Sequence, residues 1–143
     1  LEFLELLIDK TVGHFLPAKF VIFALVGSLG VIVHMIVLWL LFGELGVNFP
    51  AGQIAATLTA MTSNFALNNI FTYYDRRLVG WAWFRGWFSF ALASSVGAIA
   101  NVGIATYLFT AQEAIWFLSA IAGVIVGVVW NYAVTSYFTW QQA

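Results

Sequence analysis

Amide side chains at helical spacing are the residues of this chain best suited to binding a polar ligand. One helical face carries four polar residues, Gln53, Thr57, Asn64 and Asn68. Asn131 and Thr135 occupy the matching positions of a later stretch. A carboxamide both donates and accepts hydrogen bonds, so it can hold a phosphate or the hydroxyls of a sugar. The same groups can equally bond a neighbouring helix, and both roles stay open.

His34 lies near the middle of one apolar stretch, and Asn101 holds the matching position of another. A histidine titrates near neutral pH and can relay protons. Asn101 cannot titrate, and no carboxylate lies in any of the apolar stretches. We therefore favour helix packing over proton relay for this pair.

Three arginines, Arg76, Arg77 and Arg85, flank the aromatic cluster Trp81–Trp87. A guanidinium fits the oxygens of a phosphate through two parallel hydrogen bonds, so these arginines are candidate ligands of an anionic lipid. Their alternative role is to set membrane topology. Asp75 weakens the local positive charge, and the topological role is therefore favoured.

The composition excludes several classes of protein. Of 143 residues, 63% are hydrophobic and 8% are charged, whereas a soluble domain carries about 25% charged residues. The net charge of -1 argues against a nucleic-acid partner, which needs a basic face. The sequence has no cysteine, no paired carboxylates in its apolar stretches, no glycine-rich phosphate loop and no metal-ligand cluster. We predict neither a catalytic site nor a cofactor or metal site.

Four uncharged stretches reach the length of about 20 residues that crosses a bilayer. They are Phe20–Phe42, Gly52–Tyr73, Trp87–Phe109 and Ile115–Phe138. Every basic residue lies before the first stretch or between the second and the third, so the positive-inside rule places both termini in the cytoplasm. The sequence predicts an all-α integral membrane four-helix bundle over residues 20–143.

Residues 1–19 form a separate juxtamembrane segment. Glu2, Glu5 and Asp9 recur at helical spacing opposite apolar residues, as in an amphipathic helix on the inner membrane interface that ends before Pro17. A connector helix packed on an upstream domain is an equal alternative. Because the chain opens at Leu1 rather than methionine, we expect it to be part of a longer protein.

An internal repeat relates the two halves of the bundle. Shifting the sequence by 67 residues, so that Phe23 falls on Phe90 and Asn64 on Asn131, gives fourteen identities over 53 ungapped pairs. Each copy holds two stretches, and an even number of crossings returns the chain to its starting side. The two hairpins should therefore share one orientation, with an approximate two-fold axis along the membrane normal.

The segment from Asn64 to Tyr73, followed by Asp75-Arg76-Arg77-Leu78, resembles the Asn-Phe-x-x-Asn signature of the GtrA-like family. The segment from Asn131 to Trp140 is a weaker echo, and the opening run Phe20–Gly30 is also similar. The resemblance implies a four-helix domain that moves polyprenyl-phosphate-linked sugars across a membrane for surface polysaccharide. The same module follows the cytoplasmic domain of dolichol- or polyprenol-phosphate mannosyltransferases of glycosyltransferase family 2 type, and Leu1–Lys10 looks like their connector.

The resemblance implies a polyprenyl or dolichyl phosphate, free or sugar-linked, as ligand, and the cytoplasmic membrane as location. With that ligand, the candidate binding residues from the side-chain patterns above are Asn64, Asn68, Asn131, Arg76, Arg77 and Arg85. Many stand-alone members carry a basic residue where this chain has Asn69, so a phosphate contact there would pass to Arg76 or Arg77.

Three functions compete at this point. The first is a module that binds a lipid-linked sugar and carries its headgroup across the membrane. The second is a structural anchor that orients, and through dimerisation pairs, an upstream glycosyltransferase domain, which would be the catalytic part of the protein. A third, a proton-driven exporter, is disfavoured because no span holds a carboxylate. Polar side chains are concentrated near the cytoplasmic ends of the spans, which favours lipid binding over a complete channel.

Overall fold

The computed structural model describes residues 2–11, 16–111 and 116–140, and all regular structure within them is helical. The five α-helices are α1 (Glu2–Thr11), α2 (Ala18–Leu38), α3 (Phe49–Leu67), α4 (Trp81–Ala111) and α5 (Trp116–Phe138). π-Helical turns continue α2 over Trp39–Glu44 and α3 over Asn68–Thr72, and a 3-10 turn follows at Tyr74–Arg76. The expected all-α class is confirmed.

The chain divides into two units, Leu1–Arg77 and Leu78–Ala143. In the first unit α2 packs against α3 and α1 contacts α2, and in the second α4 packs against α5. Each unit therefore contains one helical hairpin. The four helices of these hairpins overlap the four uncharged stretches of the sequence, with α4 beginning six residues before its stretch.

By length and composition, one helix among the described residues is suited to crossing a membrane, Ala18–Glu44, and Ile125–Phe138 is a shorter apolar helical segment. The number of crossings and the orientation of the termini stay predictions. So does a membrane-surface position for α1, which spans part of the predicted juxtamembrane segment. Residues 12–15 of that segment lie outside the described residues.

Short polar and glycine signals set the helix boundaries. The side chain of Asn48 caps α3, because its Oδ1 accepts a 3.0 Å hydrogen bond from the backbone N–H of Ala51. Gly46 has a φ of 67° and Gly80 a φ of 58°, in the left-handed region where glycine alone carries no steric cost. These two glycines turn the chain just before α3 and α4 begin.

The two hairpins end in the same backbone geometry. The N–H of Tyr73 donates to the carbonyl of Asn68 at 2.9 Å, and the N–H of Trp140 donates to the carbonyl of Thr135 at 3.2 Å. Both bonds span five residues, as in a π-helical turn, and the 67-residue shift relates them. The repeat in the sequence therefore extends to the hydrogen bonding at the end of each hairpin.

Asn48→Ala should lower the stability of the first hairpin by about 1 kcal/mol, because it removes the acceptor that caps α3. The measurement is the thermal unfolding midpoint of the purified protein in detergent. Asn48→Asp retains the acceptor and should unfold at the wild-type temperature. Equal midpoints for Asn48→Ala and wild type would show that this cap contributes nothing.

Candidate functional site

A glycine–asparagine contact joins the two helices of each hairpin. A Cβ atom at Gly30 would lie 2.6 Å from Cγ of Asn64, and one at Gly97 would lie 2.9 Å from Cγ of Asn131. Real Cβ atoms do not approach other atoms within 3.0 Å. The glycines therefore let each amide lie directly against the backbone of the neighbouring helix.

These two amides keep an unused acceptor. The Oδ1 atoms of Asn64 and Asn131 are both buried without a hydrogen-bond partner among the described residues. A buried acceptor without a partner costs about 1–3 kcal/mol, and a glycine Cα–H group in contact offsets only part of that. Each hairpin therefore holds one acceptor that a hydroxyl donor could satisfy.

A buried polar cluster ends each hairpin close to these amides. In the first unit the hydroxyl of Thr72 donates to Oδ1 of Asn68 at 2.7 Å, and the bond is buried. In the second unit Thr135, which takes the place of Asn68, donates instead to the backbone carbonyl of Asn131. Oδ1 of Asn68 is therefore hydrogen-bonded within its own hairpin, whereas Oδ1 of Asn64 is not.

An ion pair closes the same end of the first hairpin. The ammonium of Lys19 lies 2.8 Å from both carboxylate oxygens of Asp75. Partial burial alone would raise the pKa of Asp75, but the hydrogen bond and the charge of Lys19 outweigh burial and hold that pKa below its usual value. Nε of Arg76 lies 3.9 Å from the same carboxylate, so Asp75 has Lys19 and one of the predicted arginines as neighbours.

The three predicted arginines have different surroundings. Arg76 and Arg77 are exposed in the segment between the hairpins, and Arg76 has Asp75 as its neighbour. Arg85 lies on α4, and among the described residues no carboxylate is within ion-pair distance of it. Arg77 likewise has no carboxylate within that distance among the described residues, so Arg77 and Arg85 are the two predicted cations left to bind an external anion.

Arg85 lines a pocket of about 130 Å³ in the second unit. Its other polar walls are Ser89 and Thr139, whose hydroxyl oxygens lie 3.0 Å apart. Leu78 and Phe138 supply apolar walls. The pocket therefore combines a cation and two hydroxyls with a hydrocarbon surface.

Three of the remaining predicted polar residues, His34, Gln53 and Thr57, lie elsewhere on α2 and α3. His34 and Gln53 are half-buried on α2 and α3. Thr57 is exposed, and its hydroxyl donates to the backbone carbonyl of Gln53 at 2.8 Å. Asn101 belongs to α4, but its side chain lies outside what the structure describes.

Sequence reasoning missed Lys19, Ser89 and Thr139 as parts of these clusters. The sequence positions at which the two repeat copies differ could have identified Lys19 and Ser89. Gly86 replaces Lys19, and Ser89 replaces Ile22. When polar residues differ between the two copies at the same end of a duplicated hairpin, the difference indicates a binding site that only one copy contains.

The helix α1 is tied to the first hairpin by a tyrosine. The hydroxyl of Tyr74 donates to Oε2 of Glu5 at 3.1 Å. This hydrogen bond raises the pKa of Tyr74, with desolvation and the negative charge of Glu5 adding to the effect. The contact links the first helix to the second residue after the π-helical end of α3.

Hairpins with exposed apolar faces and polar groups at one end define a helical membrane domain. Residues 22–140 match the family described as GtrA/DPMS, transmembrane domain, so the chain belongs to that family. The matched domain is a membrane domain and is not itself catalytic. A search of curated proteins found no match to the chain.

Gly30→Ala should destabilise the protein by about 1–3 kcal/mol, because the new methyl group overlaps the Asn64 amide. Gly27→Ala is the matched control, since nothing lies within 4 Å of a Cβ at that position of the same helix. Thermal unfolding in detergent measures both. In Gly30→Ala/Asn64→Ala the overlap is gone, so the double variant should recover part of the loss. A midpoint for Gly30→Ala equal to that of Gly27→Ala would contradict the contact.

The stability contributed by Lys19–Asp75 should depend on pH. Because the pKa of Asp75 is lowered in the folded protein, the contribution is complete above the unfolded value of about 3.9 and is lost as pH falls through the lower folded value. Its size is at most about 1 kcal/mol, since the pair is partly exposed and screened. Unfolding midpoints measured across this range should fall more for wild type than for Asp75→Asn, and parallel curves would refute the assignment.

Proposed function

We propose that this domain binds a polyprenyl- or dolichyl-phosphate-linked sugar in the cytoplasmic membrane for glycan or polysaccharide synthesis. Family membership supports a role with lipid-linked sugars. In this proposal the two hairpins form a four-helix bundle of equal orientation, with both termini in the cytoplasm. The basic residues then lie at the depth of the inner-leaflet headgroups.

The observation that carries the proposal is where the buried polar side chains lie. Among the described residues they are all at the C-terminal ends of α3 and α5, at Asn68, Asn69, Thr72, Thr135 and Thr139. Lys19 and Arg85, near the starts of α2 and α4, belong to the same hairpin ends through their contacts with Asp75 and the Thr139 pocket. Large apolar side chains are exposed along the helices beyond these ends. This separation of a polar end from an apolar surface suits a lipid with a charged headgroup and a long hydrocarbon tail.

Headgroup binding is better supported than transfer across the membrane. Transfer requires polar partners along the whole path, because an unsatisfied polar group in hydrocarbon is costly. The unbonded acceptors of Asn64 and Asn131 extend the polar end inward by about one helical turn from Asn68 and Thr135. Farther along, the hydroxyl of Thr57 is bonded to its own helix. The experiment below therefore tests whether the domain also transfers the lipid-linked sugar across the membrane.

The second candidate function is an anchor that orients an upstream glycosyltransferase domain. The hydrogen bond between Tyr74 and Glu5 favours it, since this bond holds the first helix against the hairpin. A docked connector would fix the height and direction of a preceding domain above its lipid substrate. Such an anchor could also pair with a second copy of the chain.

Proteoliposomes that contain a polyprenyl-phosphate sugar separate these functions. A membrane-impermeant reagent reports whether sugar that starts inside becomes reachable from outside, and a pull-down of the same lipid reports binding. We expect wild-type protein to bind the lipid. If it also transfers it, Asn64→Ala/Asn131→Ala should reduce transfer by about tenfold, the loss of roughly one hydrogen bond at the barrier.

Thr59→Ala is the control, because Thr59 is exposed and its hydroxyl donates to the carbonyl of Ala55 at 2.8 Å. Binding without transfer, unchanged in every variant, would support the anchor. Absence of binding to wild-type protein would overturn the proposed function.

A further inference from the structure

The two hairpins differ where their polar ends should be equivalent. In the first, Lys19 occupies the position of Gly86 and bonds Asp75, and Thr72 bonds Asn68. The cation and the hydroxyl are thus both satisfied within the first unit. Each of these side chains therefore has a partner within the first hairpin, and the charge of Lys19 is offset by that of Asp75.

In the second hairpin the equivalent groups stay open. Glycine stands at the position of Lys19, so no side chain fills that place. Thr135 replaces Asn68 and turns its hydroxyl to a backbone carbonyl, so Thr139 bonds Ser89 instead. The pocket beside Arg85 is lined by Gly86 and Ser89, which replace Lys19 and Ile22 of the first hairpin, and by Thr139.

The donors around this pocket select an anion with several oxygen atoms. The guanidinium of Arg85 offers five N–H donors in a planar fork. Ser89 and Thr139 share one hydrogen bond, and neither has another partner among the described residues, so one of the two hydroxyl protons stays available. Among the described residues that line the pocket, none is a carboxylate that would repel an anion. This donor set matches the oxygens of a phosphate.

The size of the pocket limits what it can hold. Its volume of about 130 Å³ is several times the roughly 10–15 Å³ that holds one water. It is well below the roughly 300–1,000 Å³ of a pocket for a whole drug-sized ligand. A phosphate group fits these limits. The exposed ring of Phe138 continues the wall, so an attached hydrocarbon chain can leave along an apolar surface.

We propose that Arg85, Ser89 and Thr139 form a single phosphate seat in the second hairpin, and that the ion pair of Lys19 and Asp75 closes the matching position in the first. The inference rests on the proposed function for the identity of the ligand, a phosphate ester at the head of an isoprenoid lipid. Despite the duplication, each chain binds one such headgroup.

Native mass spectrometry of the full chain in detergent tests the seat, because it counts bound lipids per chain and gives their dissociation constants. The probe is a short-chain polyprenyl phosphate, and the unphosphorylated polyprenol is its control. Wild-type protein should bind one polyprenyl phosphate, and inorganic phosphate should compete for the seat. Arg85→Gln should weaken binding by about 10- to 100-fold, the loss expected for hydrogen bonds to a charged group.

Matched variants separate the seat from general charge and from misfolding. Lys10→Gln removes one positive charge from an exposed position on α1, and its affinity should stay within about twofold of wild type. Ser89→Ala should weaken binding by about three- to tenfold, whereas Ser95→Ala should not, since Ser95 is exposed on the same helix and bonds its own backbone. Thermal unfolding of each variant confirms that the protein is folded.

The outcomes distinguish the seat from the proposed function. Wild-type affinity in Arg85→Gln, or a second lipid that remains bound in that variant, would overturn the seat while the proposed function stands. If polyprenyl phosphate does not bind but phosphatidylglycerol binds through Arg85, the seat is general for lipid phosphates and the proposed function fails. If inorganic phosphate alone binds and no lipid does, the assignment to a lipid headgroup is wrong.

Discussion

The contact between a glycine on one helix and an asparagine on the next determines how each hairpin is assembled. With a hydrogen atom in place of a side chain at Gly30 and Gly97, the facing helix lies close enough for an amide to touch the backbone. The contact sets the register of the two helices, and successive turns of an α-helix are separated by about 5.4 Å. Asn68 and Thr72 therefore follow Asn64 one and two turns later, and the polar cluster forms at the hairpin end.

Most of the helices could be predicted from the sequence, because the length and mean hydropathy of a stretch depend on all of its residues rather than on a few contacts. The stretch predicted as Phe20–Phe42 corresponds to α2 with its π-helical continuation, Ala18 to Glu44. Pro17 and Asn48 bound the neighbouring helices by local chemistry that a sequence contains directly. Hydropathy does not distinguish a π-helical turn from an α-helical one, because a run of apolar residues is compatible with either. The continuations at Trp39–Glu44 and Asn68–Thr72 were therefore not predicted.

The site was less accessible to sequence reasoning, because its contacts join residues far apart in the chain. Lys19 and Asp75 are 56 positions apart, and Ser89 and Thr139 are 50 apart. Which side chains meet depends on the helix register, and an alignment of the repeat copies pairs equivalent residues rather than contacting ones. It pairs Asn64 with Asn131, for example, whereas each of these amides contacts a glycine of its own hairpin. Only the packed hairpin reveals those contacts.

Two consecutive residues after α3 hold two separate parts of the first unit. Tyr74 bonds Glu5 on α1, and Asp75 bonds Lys19 at the start of α2. In mechanical terms this dipeptide is a joint between the first two helices, because α1 and α2 are each bonded to one of its two adjacent residues. A pull on α1 is therefore transmitted to the end of α3 without passing through the length of the hairpin. Torque applied to α1 loads the same two residues.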